Sequence, residues 1–259
     1  ASSFSRNGTV CPAASRLSAA CTSVSIMYND DGTFLKPNFF VRPAMHAFID
    51  TEIIAKAPAQ YMWAGIGDTY AKYYEATISS RDERLEHFTA LGVSLSVMCR
   101  NPLLEYGEKA LQDHRQGLCT YDVEQVVLAI VVTTGIASIF LTKDFTPDYN
   151  SGLAHAIFYA LTAYPVIEEK HLHGEVVGFG VLFALLVDGQ YDEFEKIYKL
   201  NKELGLPTSL EQIEITEDQW DESLDRIPDM SDVKHYPYRV TREMLEDAMG
   251  KLTERNLRS

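Results

Sequence analysis

Ala64-Gly65-Ile66-Gly67-Asp68-Thr69-Tyr70-Ala71-Lys72-Tyr73-Tyr74-Glu75-Ala76 decides how this chain is read. The run lies inside a stretch of helical periodicity that predicts a helix from Gln60 to Ser79, and one aspartate, Asp68, interrupts its apolar start. Two later stretches share the feature: His155 in Gly152-Leu153-Ala154-His155-Ala156 and His173 in Leu172-His173-Gly174-Glu175. One carboxylate and two imidazoles in otherwise apolar helical text are a donor set suited to a divalent metal ion.

Working outward, the periodicity from Pro58 onward is helical. Further helices are expected at Pro102 to Leu118, Val123 to Leu141, Gly152 to Ala163, Gly174 to Asp188, Asp192 to Glu203, Glu217 to Asp225 and Thr241 to Glu254. Breaks fall at Asn101-Pro102, Thr146-Pro147, Tyr164-Pro165, Leu206-Pro207 and Ile227-Pro228. The first fifty residues differ. Val24, Ile26 and Tyr28 alternate with Ser23, Ser25 and Met27, the turn Asn29-Asp30-Asp31-Gly32 follows, and Thr33-Phe34-Leu35 completes a β-hairpin. A further short strand is expected at Ala47 to Asp50. The expected division is therefore a β-hairpin and strand segment, 1–57, ahead of an all-helical domain, 58–259.

Composition bounds the function. The chain has 259 residues and a formal net charge of −14, with 46% hydrophobic and 23% charged residues, which fits an ordinary globular protein. No basic run exists to neutralise a phosphate backbone, so nucleic acid is not an expected partner. Cys11, Cys21, Cys99 and Cys119 show no CxxC spacing, and a reduced cytoplasmic protein with inert thiols is the simplest reading. The polar start Ala1 to Gly8 has no apolar core of a secretory signal. Val126 to Thr142 is seventeen residues without a charge, short of the roughly 20 that span a bilayer, and reads as a buried core helix rather than a membrane segment. The nine carboxylates between Glu211 and Asp232 read as a solvated face.

Each candidate ligand also has a structural reading. A histidine in apolar helical text can be a hydrogen-bonded core residue, His171 competes with His173, and Asp68 can pair with Lys72 one turn on. No compact zinc motif such as HExxH is present. With neutral imidazoles the three ligands carry −1, and mixed N and O donors suit Zn²⁺ or Fe²⁺ better than Mg²⁺.

The run from Ala64 to Ala76, together with Ala154-His155-Ala156-Ile157 and His173-Gly174-Glu175-Val176-Val177-Gly178-Phe179-Gly180, resembles the three metal-ligand segments of the iron-containing alcohol dehydrogenase and glycerol dehydrogenase-like family, in family order. Tyr28-Asn29-Asp30-Asp31-Gly32 and Asp50-Thr51-Glu52-Ile53-Ile54 resemble the family's intervening text, and the hydroxycarboxylate dehydrogenase subgroup is resembled most strongly. The resemblance implies a mainly α fold: the helical metal-binding domain of the dehydroquinate synthase-like and iron alcohol dehydrogenase fold, preceded by a short β-hairpin left from an N-terminal α/β domain. It implies Zn²⁺ or Fe²⁺ held by Asp68, His155 and His173, with NAD(P) as the cofactor of the parent protein. The substrate is then a small secondary alcohol, a polyol such as glycerol or a 2-hydroxy acid, and a homo-oligomer is left open.

Pro12 to Tyr28 corresponds to the family stretch touching the nicotinamide half of the cofactor. Tyr28 matches, Thr22 and Val24 are conservative replacements, and Ala13 replaces a threonine. Ser18 stands where glycerol dehydrogenases carry a substrate-binding aspartate, which argues against assuming glycerol. Phe158 replaces a second histidine one turn after His155, and Tyr159 is a candidate substrate contact or pocket wall. No Gly-Gly-Gly or GxGxxG phosphate loop appears, so the expectation is the C-terminal part of a longer protein. Two other readings stand beside the dehydrogenase: a truncated, redox-inactive metal-binding remnant, and a non-redox enzyme of the dehydroquinate synthase type.

Overall fold

The structure is a computed structural model that describes residues 9–10, 21–28, 34–143, 146–147 and 149–258. Helices dominate the described residues. Among the described residues strands are confined to three two-stranded pairings: β1 (Thr9–Val10) runs parallel to β4 (His46–Ala47), β2 (Val24–Tyr28) antiparallel to β3 (Phe34–Phe39), and β5 (Thr142–Lys143) antiparallel to β6 (Thr146–Pro147). The expected hairpin is present, with Val24 opposite Phe39 and a register shift between Met27 and Tyr28, while its turn lies outside the described residues. Its second strand runs four residues beyond Leu35, through Pro37, which a two-stranded ribbon tolerates because one edge of each strand needs no donor.

The expected strand at Ala47 to Asp50 is cut short. β4 ends at Ala47, and Asp50 instead caps helix α1 (Thr51–Ala55), its carboxylate accepting the Ile53 N–H at 3.1 Å. Two other helices lie where none is expected, α3 (His87–Ser96) and α8 (Pro165–Lys170). Pro165 reads as a breaker, yet it occupies the first turn of α8, where its missing N–H has no partner to lose.

The remaining helices follow the periodicity: α2 (Ala59–Ser79), α4 (Asn101–Arg115), α5 (Tyr121–Leu128), α6 (Thr134–Phe140), α7 (Leu153–Leu161), α9 (His173–Val187), α10 (Tyr191–Leu204), α11 (Glu217–Leu224) and α12 (Arg242–Leu257). α5 and α6 form one helical path through a π-turn at Ala129–Thr133, where the Thr134 hydroxyl donates to the Ala129 carbonyl at 3.1 Å. This path, Tyr121–Phe140, has a mean hydropathy of 2.0 and the length to cross a membrane, but half of its apolar window is buried in the fold. It is a core helix on one side only, because Leu128 and Ile136 remain exposed.

α9 is the axis of the molecule. Every residue from Gly174 to Leu186 is buried, as expected of a helix apolar on all sides, and α2, α7, α10 and α12 pack around it. Glycines set how closely they approach. A Cβ on Gly67 would lie 2.2 Å from the Gly174 carbonyl oxygen, and one on Gly174 would lie 2.0 Å from that of Ala64. On the other side, a Cβ on Gly180 would lie 2.6 Å from the Ala154 carbonyl oxygen. The α2–α9 and α7–α9 contacts are therefore backbone to backbone, and they bring Asp68, His155 and His173 to one place.

Candidate metal centre

Asp68 comes from the middle of α2, His155 from the first turn of α7, and His173 from the first residue of α9. Gly152 at the N-cap of α7 has no side chain to satisfy the free N–H groups of the first turn. Two distant residues do so instead: the Tyr236 hydroxyl accepts the Leu153 N–H at 3.1 Å, and Glu75 Oε1 accepts the His155 N–H at 2.9 Å. α9 is capped within its own segment, since Glu175 Oε2 accepts the Leu172 N–H at 3.0 Å.

The donor atoms converge. Asp68 Oδ1 lies 3.6 Å from His155 Nε2 and 3.6 Å from His173 Nε2, and one donor atom from each residue falls within 4.8 Å of the others. Ligands about 2 Å from a shared tetrahedral ion stand roughly 3.3 Å apart, so this spacing suits a common cation better than direct hydrogen bonding. The two imidazole rings have centroids 5.2 Å apart, and Phe158 meets the His173 ring edge-on at 4.3 Å. His155 is buried, Asp68 is partly exposed, and the His173 side chain is 42% exposed, which leaves an open side.

The electrostatics favour positive charge here. Burial works against the Asp68 carboxylate, but the neighbouring imidazoles of His155 and His173 hold it well below the usual carboxylate range. Burial likewise disfavours the His155 imidazolium, yet Glu75 and Asp68 outweigh it and push its pKa up to about 10. A divalent cation would take the place of the proton held at this imidazole, and the carboxylates of Asp68 and Glu75 would offset its charge. The N₂O donor set thus fits Zn²⁺ or Fe²⁺ in both charge and donor type.

Several sequence ambiguities resolve. His171 turns away, its Nδ1 facing Glu175 Oε1 at 2.9 Å and its Nε2 facing Glu214 at 3.5 Å, so His173 is the imidazole in the cluster. Lys72 is not spent on Asp68; its ammonium donates to the Asn150 carbonyl. Glu75, which from its place on the Asp68 helix reads either as a surface or interhelical ion-pair partner or as a group supporting the ligands, is fully buried, and its interhelical partner is His155 itself. The signal was its spacing, seven residues or two turns from Asp68 on one face of α2.

Tyr159 stands with its ring 6.2 Å from that of His155 and 47% exposed, at the open side of the cluster. Of the candidate cofactor residues, Thr22 precedes β2, Val24 opens it and Tyr28 ends it. This segment docks on α6, where Gly135 leaves room for Cys21; a Cβ there would lie 2.7 Å from Cys21 Cβ. Ser18 falls outside the described residues. Among the thiols, burial pushes Cys99 up to about 11 and also raises Cys21, as inert groups require, whereas Cys119 is exposed rather than buried.

No family profile matches the chain. Individual proteins do. A glycerol dehydrogenase of Escherichia coli O6:H1 is 34% identical over 221 residues, 81% of this chain and 56% of that protein. Hydroxycarboxylate dehydrogenase A of Escherichia coli K12 is 35% identical over 198 residues, 76% of this chain and 53% of its own length. The crystal structure of glycerol dehydrogenase from Schizosaccharomyces pombe superposes with a TM-score of 0.79 at 24% identity, covering 96% of this chain and 64% of that one. The chain spans about half the length of the curated relatives it matches, in their C-terminal portion. It belongs to the glycerol dehydrogenase-like family.

Proposed function

We propose that this chain is the metal- and substrate-binding part of an NAD(P)-linked dehydrogenase that interconverts a secondary alcohol, either a polyol or a 2-hydroxy acid, with its ketone. The convergence of Asp68 Oδ1 with the two Nε2 atoms at 3.6 Å carries this reading. Those three residues hold Zn²⁺ or Fe²⁺. A divalent ion bound there supplies Lewis acidity, lowering the pKa of a secondary hydroxyl so that its proton leaves near neutral pH. Phe158 shields one face of His173 from water, and Tyr159 borders the side from which substrate enters. Phe158 has no proton to pass, so no imidazole relay operates at that position. By resemblance, Thr22, Val24 and Tyr28 are assigned to nicotinamide contact and Ser18 to substrate contact in the parent dehydrogenase, a soluble, cytoplasmic protein.

The test is NAD(P)H formation by the parent dehydrogenase, with its nucleotide-binding part present, from glycerol, 1,2-diols and 2-hydroxy acids with Zn²⁺ or Fe²⁺ present. Turnover that Asp68→Ala abolishes supports the reading; hydride transfer to neither NAD nor NADP across the panel, with metal bound, refutes it. The latter result would favour a redox-inactive metal-binding protein.

A further inference from the structure

Glu75 is wholly buried, and both of its carboxylate oxygens go to one residue. Oε1 accepts the His155 backbone N–H at 2.9 Å, and Oε2 lies 2.7 Å from His155 Nδ1. Nδ1 is thus the ring nitrogen taken up by Glu75, and Nε2 is the one left facing Asp68. Room for this arrangement comes from Gly152, where a Cβ would lie 3.1 Å from Glu75 Cβ and Cγ.

We propose that Glu75 is the positioning residue of the metal centre: by engaging the backbone N–H and the Nδ1–H of His155 together, it presents Nε2 as the ligand atom and sets the affinity for the ion. This rests on the metal-centre reading above. A carboxylate behind a ligating imidazole fixes the tautomer and strengthens the nitrogen as a donor. Glutamine has the same shape but offers one acceptor and one donor, so its amide N–H₂ would confront one of the two N–H groups. Helix capping alone does not account for Glu75, since the Tyr236 hydroxyl already accepts the first free N–H of α7 and Glu75 adds a contact to the His155 imidazole beside its backbone one.

The experiment measures Zn²⁺ and Co²⁺ affinity of the purified chain by chelator competition, for wild type, Glu75→Gln and Tyr236→Phe, with a melting curve for each. Glu75→Gln is expected to bind about 10- to 100-fold more weakly, while Tyr236→Phe loses stability and keeps wild-type affinity. Wild-type affinity in Glu75→Gln overturns the proposal. An equal loss in Tyr236→Phe also overturns it, by reducing Glu75 to a helix cap. Should Glu75→Gln fail to fold, ¹⁵N histidine spectra of the Zn²⁺-loaded wild type decide: a protonated Nδ1 with Nε2 ligated supports the role, and ligation through Nδ1 overturns it. A wild type that takes up neither ion refutes the metal reading itself, an outcome distinct from equal binding by the two proteins.

Discussion

The α2–α7–α9 centre and the β segment around β1 to β4 are held together by different means. In the centre, three helices touch backbone to backbone at Gly67, Gly174 and Gly180, and the polar groups brought together there find partners in neighbouring helices. In the β segment the strands pair only two by two, and Val41, Met45 and Phe48 stand 89%, 77% and 62% exposed. A geometry over-determined by packing holds ligand atoms in place before any ion arrives. Metal binding should accordingly be a property of the helical centre by itself.

The comparison breaks most sharply at Gly174. An alanine there collides with the Ala64 carbonyl, which cannot yield without moving α2, so Gly174→Ala should cost about 3 kcal/mol, the upper range for overpacking. The expected outcome is a Tm lower by roughly 6–12 °C together with weakened metal binding. Unchanged values on both counts would mean that the helices approach less closely than described.

Tyr70→Phe sharpens the contrast from inside the centre. The buried Tyr70 hydroxyl donates to Asn201 Oδ1 at 2.8 Å, and its loss leaves that acceptor unpaired, at a cost of about 1–3 kcal/mol. Denaturant unfolding should show the loss, while metal affinity stays within twofold, because Tyr70 supplies none of the three donors.

How much of this was legible in the sequence depends on how local the cause is. The helices after Pro58 carry their own periodicity, and Thr216 and Thr241 announce two of their starts as side-chain caps. α7 announces nothing, since its caps come from residues 75 and 236, and the buried partnership of Glu75 with His155 spans eighty residues. Asp68, His155 and His173 could be named from their flanking text, but no spacing rule could choose His173 over His171. That choice is made by Glu175 and Glu214, which engage the earlier ring.

A smaller effect is expected at Glu193, which joins α10 to α2 and α4. Burial opposes its charge, but Lys196, Tyr74 and Arg100 hold its carboxyl down at about 2. A depressed carboxyl stabilises the fold above the ordinary glutamate range near 4.3 and loses that contribution as pH falls through about 2. Wild type should lose about 1 kcal/mol across that window after solvent screening, and Glu193→Gln should show a flatter profile in acid unfolding curves. Smallest of all is Val41→Ser in the β segment, where an exposed side chain changes and stability should shift by no more than about 0.5 kcal/mol.

Titration of the purified chain with Zn²⁺ or Co²⁺, without dinucleotide, tests the central claim most directly. The account predicts one ion per chain, with binding abolished in the Asp68→Ala, His155→Ala, His173→Ala triple variant. Normal metal content in the folded triple variant, or no uptake by the wild type, would contradict it.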